Sequence, residues 1–253
     1  LERFFHLFEE RFMPSTPTHC LAPGASEPCS NAVDDGVPLS PVPQVIAAIA
    51  AGQPVLVLDD AERENEADLV CAAANMTPAS MAMMIREGSG IVCLCITADH
   101  AQALGLRPMV EVNRSAHGTA FTQSIEAAHG ISTGVSAIDR LQTVRCALRI
   151  PAPGGQPEVV SPGHVFPLVA RPGGVLERQG HTEAAVDLAV LAGLPAAGVL
   201  CELMNPDGSM ARGAQVAQFA RANGLLCTTV QALVAYRSQG FSLCPQSSKL
   251  SLN

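Results

Sequence analysis

The sequence predicts an α+β fold in which a mixed β-sheet packs against helices. Three observations point there. Short apolar runs of strand length are punctuated by glycine and proline, and longer periodic segments carry helix caps and stops. The two kinds of segment also mix without strict βαβ alternation, which argues against a doubly wound sheet. The 253 residues have room for one large domain or two small ones, and no internal repeat is present. A chain of this length buries roughly 70–75% of its unfolded surface, so its core needs no covalent staples.

Residues 1–38 differ from the rest. LERFFHLFEERF sets Leu1, Phe4, Phe5, Phe8 and Phe12 at helical spacing, and the Pro/Ser/Gly-rich stretch after it reads as a linker. The stripe reads either as a docking helix or as an extension without ordered structure. The second reading is preferred, placing the folded domain at residues 39–237 and a tail at 238–253. From Val42 the text is globular. PQVIAAIAAG is a helix ended by Gly52, PVLVLDD a buried strand, and DLVCAAA a second apolar run beyond an acidic stretch. A helix follows from a cap at Thr77 or Ser80 through MAMMIREG. GIVCLCIT and TAFTQSIEA read as strands, with ADHAQALGL and a polar loop as the connection. SAIDRLQTVRCAL is a helix, and PAPGGQPEVVSPGHVFPLVARPGG a long Pro/Gly-rich passage. TEAAVDLAVLAG is a helix stopped by Gly193, followed by the strand AGVLCELM and the turn NPDG. The helix AQVAQFARANG, the strand LLCTTV and the helix VQALVAYR complete the order.

Composition excludes several classes. A net charge of −8 with no cluster of Lys or Arg rules against a nucleic-acid footprint. No apolar run reaches the ~20 residues of a membrane span; VIAAIAAGQPVLVL breaks at Gly52-Gln53-Pro54. The N-terminus has no apolar signal core, and the nine irregularly spaced cysteines read as thiols in a reducing cytoplasm. With 48% apolar and 15% charged residues, the chain is apolar enough to hide surface between subunits.

Four features carry candidate chemistry. LDDAERENEAD, Leu58 to Asp68, puts six acids and one arginine into eleven positions. If it is extended, Glu62, Glu64, Glu66 and Asp68 share one side and Arg63 and Asn65 the other. Such carboxylates repel unless a cation sits among them, and hard oxygens suit Mg²⁺ or Mn²⁺ better than zinc; a solvated acidic turn is the alternative. In RQGHTEAAVDL, Thr182 is placed to cap a helix whose free N–H groups, with Arg178, would form a phosphate pocket beside His181. SPGHVFP holds His164 on a stiff loop between prolines, a common way to present an acid–base group. Glu202 lies inside the apolar strand GVLCELM, where a carboxylate must be paired, metal-bound or neutral.

Read together, DDAERENEAD, GSGIVCLCIT, HGTAFT, GISTGVSAIDR, PGHVFPL, GGVLERQGHTEAAVDL, CELMNPDGSMAR and LVAYR resemble the 3,4-dihydroxy-2-butanone 4-phosphate synthases of riboflavin biosynthesis. The likeness runs from Val42 to Arg237. It implies a single domain of that type, a homodimer, and Mg²⁺ or Mn²⁺, two per site, with no organic cofactor. The implied reaction takes D-ribulose 5-phosphate to L-3,4-dihydroxy-2-butanone 4-phosphate and formate, through a metal-bound enediol and a skeletal rearrangement. Carried over residue by residue, Glu64 and His181 become metal ligands and His164 and Glu202 catalytic groups. Arg63, Asp68 and Glu202 would meet the sugar, while Arg178, Gln179, Gly180, His181 and Thr182 hold the substrate, Arg178 and Thr182 on its phosphate. Asp59, Cys93 and Thr133 fall in segments that line the pocket. Three positions depart from the pattern: Ala61 replaces a usual acid, Ala67 often corresponds to glycine, and Ser161 replaces an arginine. If position 67 needed a positive φ, alanine there would cost about 1 kcal/mol. A sugar-phosphate isomerase or a silent sugar-phosphate-binding homologue is the alternative function.

Overall fold

The computed structural model describes residues 36–152 and 154–240. The aromatic stripe of the first twelve residues and the tail beyond 240 lie outside the described residues. Within them the strands are β1 (Val55–Leu58), β2 (Ala67–Ala72), β3 (Cys93–Ile96), β4 (Ile125–Ala127), β5 (Val159–Val169), β6 (Ala197–Glu202) and β7 (Cys227–Thr229). The helices are α1 (Val42–Ala50), α2 (Pro78–Glu87), α3 (Ala98–Ala103), α4 (Ala137–Ala147), α5 (His181–Leu191), α6 (Ala214–Asn223) and α7 (Val230–Ser238).

All seven strands form one sheet in the order β4-β5-β3-β6-β2-β1-β7. The sheet is mixed: β1 pairs parallel with β7 and β3 with β5, while the β1–β2, β2–β6, β3–β6 and β4–β5 ladders are antiparallel. The expected mixed-sheet α+β architecture is the one observed. Helices cover both faces, which explains why the central strands read as unbroken apolar runs rather than alternating ones. Leu69, Cys71, Leu94 and Val199 pack with α2, α4 and α6 on one face. Val70, Ala72, Cys93 and Leu200 pack with α1, α5 and α7 on the other. Truncating a fully buried residue such as Leu69 to alanine would cost roughly 2–5 kcal/mol. The packed chain begins before residue 39, since Val37 is fully buried in the core.

Local chemistry sets the ends of the helices. The Thr77 side chain accepts the Ser80 N–H, with Pro78 in the first turn, so the cap of α2 is Thr77. Ser136 caps α4 in the same way. At α5 the expected cap does not hold: Gly180 is the N-cap and Thr182 is already the second helical residue.

Three further segments differ from expectation. The long Pro/Gly-rich passage contains β5, an eleven-residue strand. Its prolines are tolerated because the β4–β5 register breaks between Ile125 and Glu126, around Pro162, and because Pro167 serves its neighbour through a carbonyl that accepts the Thr122 N–H. TAFTQSIEA yields only the short β4, with Phe121 and Thr122 held by isolated bridges. The connection after β3 contains the one-and-a-half-turn α3, capped by Thr97 and too short to show a period.

Candidate active site

The acidic stretch is a turn joining β1 to β2, not an extended strand. The Asp59 carboxylate, fully buried, accepts the backbone N–H of Glu64 at 3.1 Å and of Glu66 at 2.9 Å. Asp60 accepts the Glu62 N–H at 2.8 Å, an Asx-type turn that competes with the extended form. The alternation expected for Glu62, Glu64, Glu66 and Asp68 is therefore lost: Glu62 faces solvent, whereas Arg63 turns back onto Asp59 at 2.7 Å and Glu64 at 2.6 Å. The left-handed residue is Asn65, at φ 52°, a type that tolerates that region. Ala67 sits in regular β2, so the cost considered for it does not arise.

Beneath this turn, β2 carries Asp68 and the start of α5 carries His181, both buried. His181 Nδ1 lies 3.5 Å from Asp68 Oδ2 and 3.7 Å from Glu64 Oε2. Across the ladder Asp68 pairs directly with Glu202 of β6. Two carboxylates placed opposite each other on one sheet face repel. Burial, with Glu202 and Glu66 adding to it and His181 opposing, pushes Asp68 up to about 7. The His181 imidazole, helped by Arg63 and opposed by burial, holds Glu64 down to about 2. For His181 itself burial opposes the charge, but Asp68 and Glu64 prevail and raise it to about 9.

This group fits a hard divalent ion. One ligand atom each from Asp59, Glu64 and His181 lie within 4.8 Å of one another. His181 Nε2 and Asp68 Oδ1 are buried without a hydrogen-bond partner, a state that is costly unless something else satisfies them. The oxygens are hard, and the thiol that lines the adjoining cavity, Cys93, is no competitor, because burial and Cys95 push its pKa well up.

A cavity of about 170 Å³ opens beside the cluster. Arg63, Glu64, Asp68 and His181 form one wall, and Cys93, Arg178, Thr182 and Glu202 reach it from β3, the α5 approach and β6. Arg178 is fixed by Glu183 at 2.6 Å and by the His117 carbonyl and Thr119 hydroxyl, each at 3.2 Å. Glu202 accepts the Ser89 hydroxyl at 2.5 Å. Eight of the residues singled out in the sequence thus meet in one place.

The others stand elsewhere. Asp59 lies under the turn as its scaffold, Gly180 is buried as the α5 N-cap, and Gln179 is exposed. Thr133 is exposed before α4, and His164 is exposed on β5, its Nδ1 2.9 Å from Glu126 Oε2. Neither lines the cavity of the same chain. The cavity also takes in Glu66, Thr119, Phe121, Leu168 and Leu200, which were not among the expected site residues. Glu66 was visible in the acidic run, but the apolar members carry no chemical signal: Leu168 comes from β5, Leu200 from β6, and Phe121 arrives through its bridge to Leu168.

Two arginines, a helix start, an imidazole and a ring of carboxylates around a small cavity have the character of an enzyme site for small anionic molecules. A docking face or a nucleic-acid groove would look different. The particular family follows from comparison with known proteins. The family model for 3,4-dihydroxy-2-butanone 4-phosphate synthase matches residues 43–236, and the chain belongs to that family. The synthase of Ralstonia nicotianae is 63% identical over 193 residues, covering 76% of this chain and 84% of the relative. That of Cupriavidus pinatubonensis is 60% identical over 196 residues, covering 78% and 87%. A solved synthase structure in complex with two magnesium ions is 40% identical with a TM-score of 0.74, covering 80% of this chain and 98% of that one.

Proposed function

We propose that this chain converts D-ribulose 5-phosphate to L-3,4-dihydroxy-2-butanone 4-phosphate and formate. In this reading Mg²⁺ or Mn²⁺, two ions per site, is the only cofactor, and the protein works as a cytoplasmic homodimer. The observation that carries the reading is the shared cavity: Glu64 and His181, two of the three donors that Asp59 completes from beneath the turn, line the same space as Arg178 and Thr182. A divalent ion bound there supplies Lewis acidity toward adjacent sugar oxygens. Arg178, Thr182 and the free N–H groups of α5 hold the phosphate, and Arg63 and Asp68 meet the hydroxyls. Glu202, on the cavity wall, takes the C3 proton. The C1 hydroxyl then leaves as water, the skeleton migrates, and C4 departs as formate with one water taken up, so atoms balance. Substrate carrying ¹³C at C4 tests this directly: the label should appear in formate, and label kept in the four-carbon product refutes the route.

The second acid–base group comes from the partner's His164. Within one chain His164 lies four residues upstream of the cavity residue Leu168, ~13 Å along the strand. Glu126 holds its Nδ1 in place. The surrounding surface is apolar, with Val135, Ile138 and Val160 46%, 70% and 51% exposed, which suits coverage by a second copy. Mixing inactive Glu64→Gln chains with inactive His164→Ala chains should restore about a quarter of the wild-type activity, because half of the random dimers carry one intact site. No recovery on mixing would refute the shared site.

A further inference from the structure

One contact on Glu202 comes from outside the cavity. Ser89, in the corner between α2 and β3, does not line the cavity but reaches the Glu202 carboxylate from behind. Its hydroxyl oxygen lies 2.5 Å from Glu202 Oε2 and accepts the Ile91 N–H at 3.1 Å. A serine hydroxyl has one proton and two lone pairs. With an N–H already pointing at the oxygen, the proton is directed to the carboxylate; the Cys201 sulfur, at 3.5 Å, is the weaker alternative acceptor. Glu202 Oε2 is thereby fixed as an acceptor.

The corner is built to hold this contact. The Ser89 N–H donates to the Glu202 backbone carbonyl at 2.9 Å, so main chain and side chain are bound by the same residue. Gly88 makes the approach possible: a Cβ there would sit 2.6 Å from the Met84 carbonyl oxygen, 2.7 Å from the Cys201 sulfur and 2.9 Å from the Glu202 carbonyl oxygen. From the other side Arg140 of α4 donates to the Gly90 carbonyl at 2.6 Å.

We propose that Ser89 is a positioning residue for Glu202: it ties down Oε2 and leaves the other oxygen to act on substrate in the cavity. The proposal rests on the reading of Glu202 as the base above. Loss of a positioned base lowers turnover without changing how substrate or metal is held. Four variants of the full chain test it by steady-state formate production: Ser89→Ala, Ser89→Thr, Glu202→Gln, and Ser89→Ala combined with Glu202→Gln. The expectation for Ser89→Ala is a loss of about tenfold or more in kcat, the size of a lost hydrogen bond to a charged group. KM and the Mg²⁺-induced rise in melting temperature should stay at wild-type values. Ser89→Thr, which keeps the hydroxyl, should restore turnover, and the double variant should be no slower than Glu202→Gln alone. Wild-type turnover in Ser89→Ala, a loss that threonine does not restore, or a further loss in the double variant below the residual turnover of Glu202→Gln each overturns the proposal while Glu202→Gln itself stays slow. Wild-type turnover in Glu202→Gln overturns the reading of Glu202, and the role of Ser89 with it.

Discussion

Gly180→Ala is the substitution whose effect the geometry specifies most closely. Gly180 caps α5 with φ −126° and ψ 161°, a backbone any residue adopts, so alanine introduces no strain in the main chain. Its Cβ, however, would sit 2.4 Å from Arg178 Nη1 and 2.9 Å from Glu183 Oε2. Nonbonded atoms prefer roughly 3.5–4.0 Å, so the guanidinium must move by about 1 Å. That movement breaks the bond from Arg178 to Glu183, now 2.6 Å long with the carboxylate side chain 1% exposed. A hydrogen bond to a charged group contributes about 1.5–3 kcal/mol. Arg178 sits in the cavity wall, so the loss should appear in substrate affinity and orientation as well as in stability. The expected outcome is a fall of roughly 10–100-fold in kcat/KM for ribulose 5-phosphate, the range that energy spans. Inorganic phosphate should weaken as a competitive inhibitor by a similar factor, and the melting temperature should fall because the buried Glu183 carboxylate loses its partner. Formate release under initial-rate conditions measures the first and inhibition series the second. A variant within threefold of wild type in both would refute the idea that Glu183 sets the orientation of Arg178.

Magnesium should raise the melting temperature of the wild-type protein, by the equivalent of about 2.7 kcal/mol at a hundredfold excess over Kd, and Glu64→Gln and His181→Ala should each abolish that rise; an unchanged rise in both would remove them from the metal site. In metal-free protein the pKa of Glu64 falls from 4.5 to about 2, so its ionised form stabilises the fold above pH 4.5, and this contribution is lost as pH falls toward 2. Glu64→Gln should therefore melt below wild type at pH 6, with the gap closing as the pH is lowered; a gap independent of pH would contradict the assignment. Arg237→Ala removes the partner of Asp187 in a pair with 8% and 1% side-chain exposure, and leaving a buried charge alone costs roughly 3–5 kcal/mol; chemical denaturation should show the loss, and a change under 1 kcal/mol would argue against it. Removing residues 1–35 should leave formate production unchanged, whereas a cut through residue 38 takes the fully buried Val37 from the core and should lower the melting temperature.

Much of the fold was legible because its signals are local. The stops at Gly52 and Gly193, the cap at Thr77 and the apolar runs of β1, β3 and β6 depend on residues within a few positions of each other. The chemistry of the site was legible in the same sense: Glu64, Asp68, Arg178, His181 and Glu202 are residue types that a chain places next to apolar segments for a reason. What tertiary structure alone decided is how these groups face one another. The strand register sets Asp68 opposite Glu202, and Asp59, through bonds to two backbone amides, folds the acids into a turn that turns Arg63 inward and Glu62 outward. Pairing with β3 and β4 also makes a strand of a segment whose prolines argue against one. His164 and Thr133 look like site residues in the sequence yet stand outside the cavity of their own chain. Residue type and spacing carry propensity and period, which are properties of neighbours in the chain. Distance between groups far apart in sequence is set by ladder hydrogen bonds and packing across the sheet, and no local pattern encodes those.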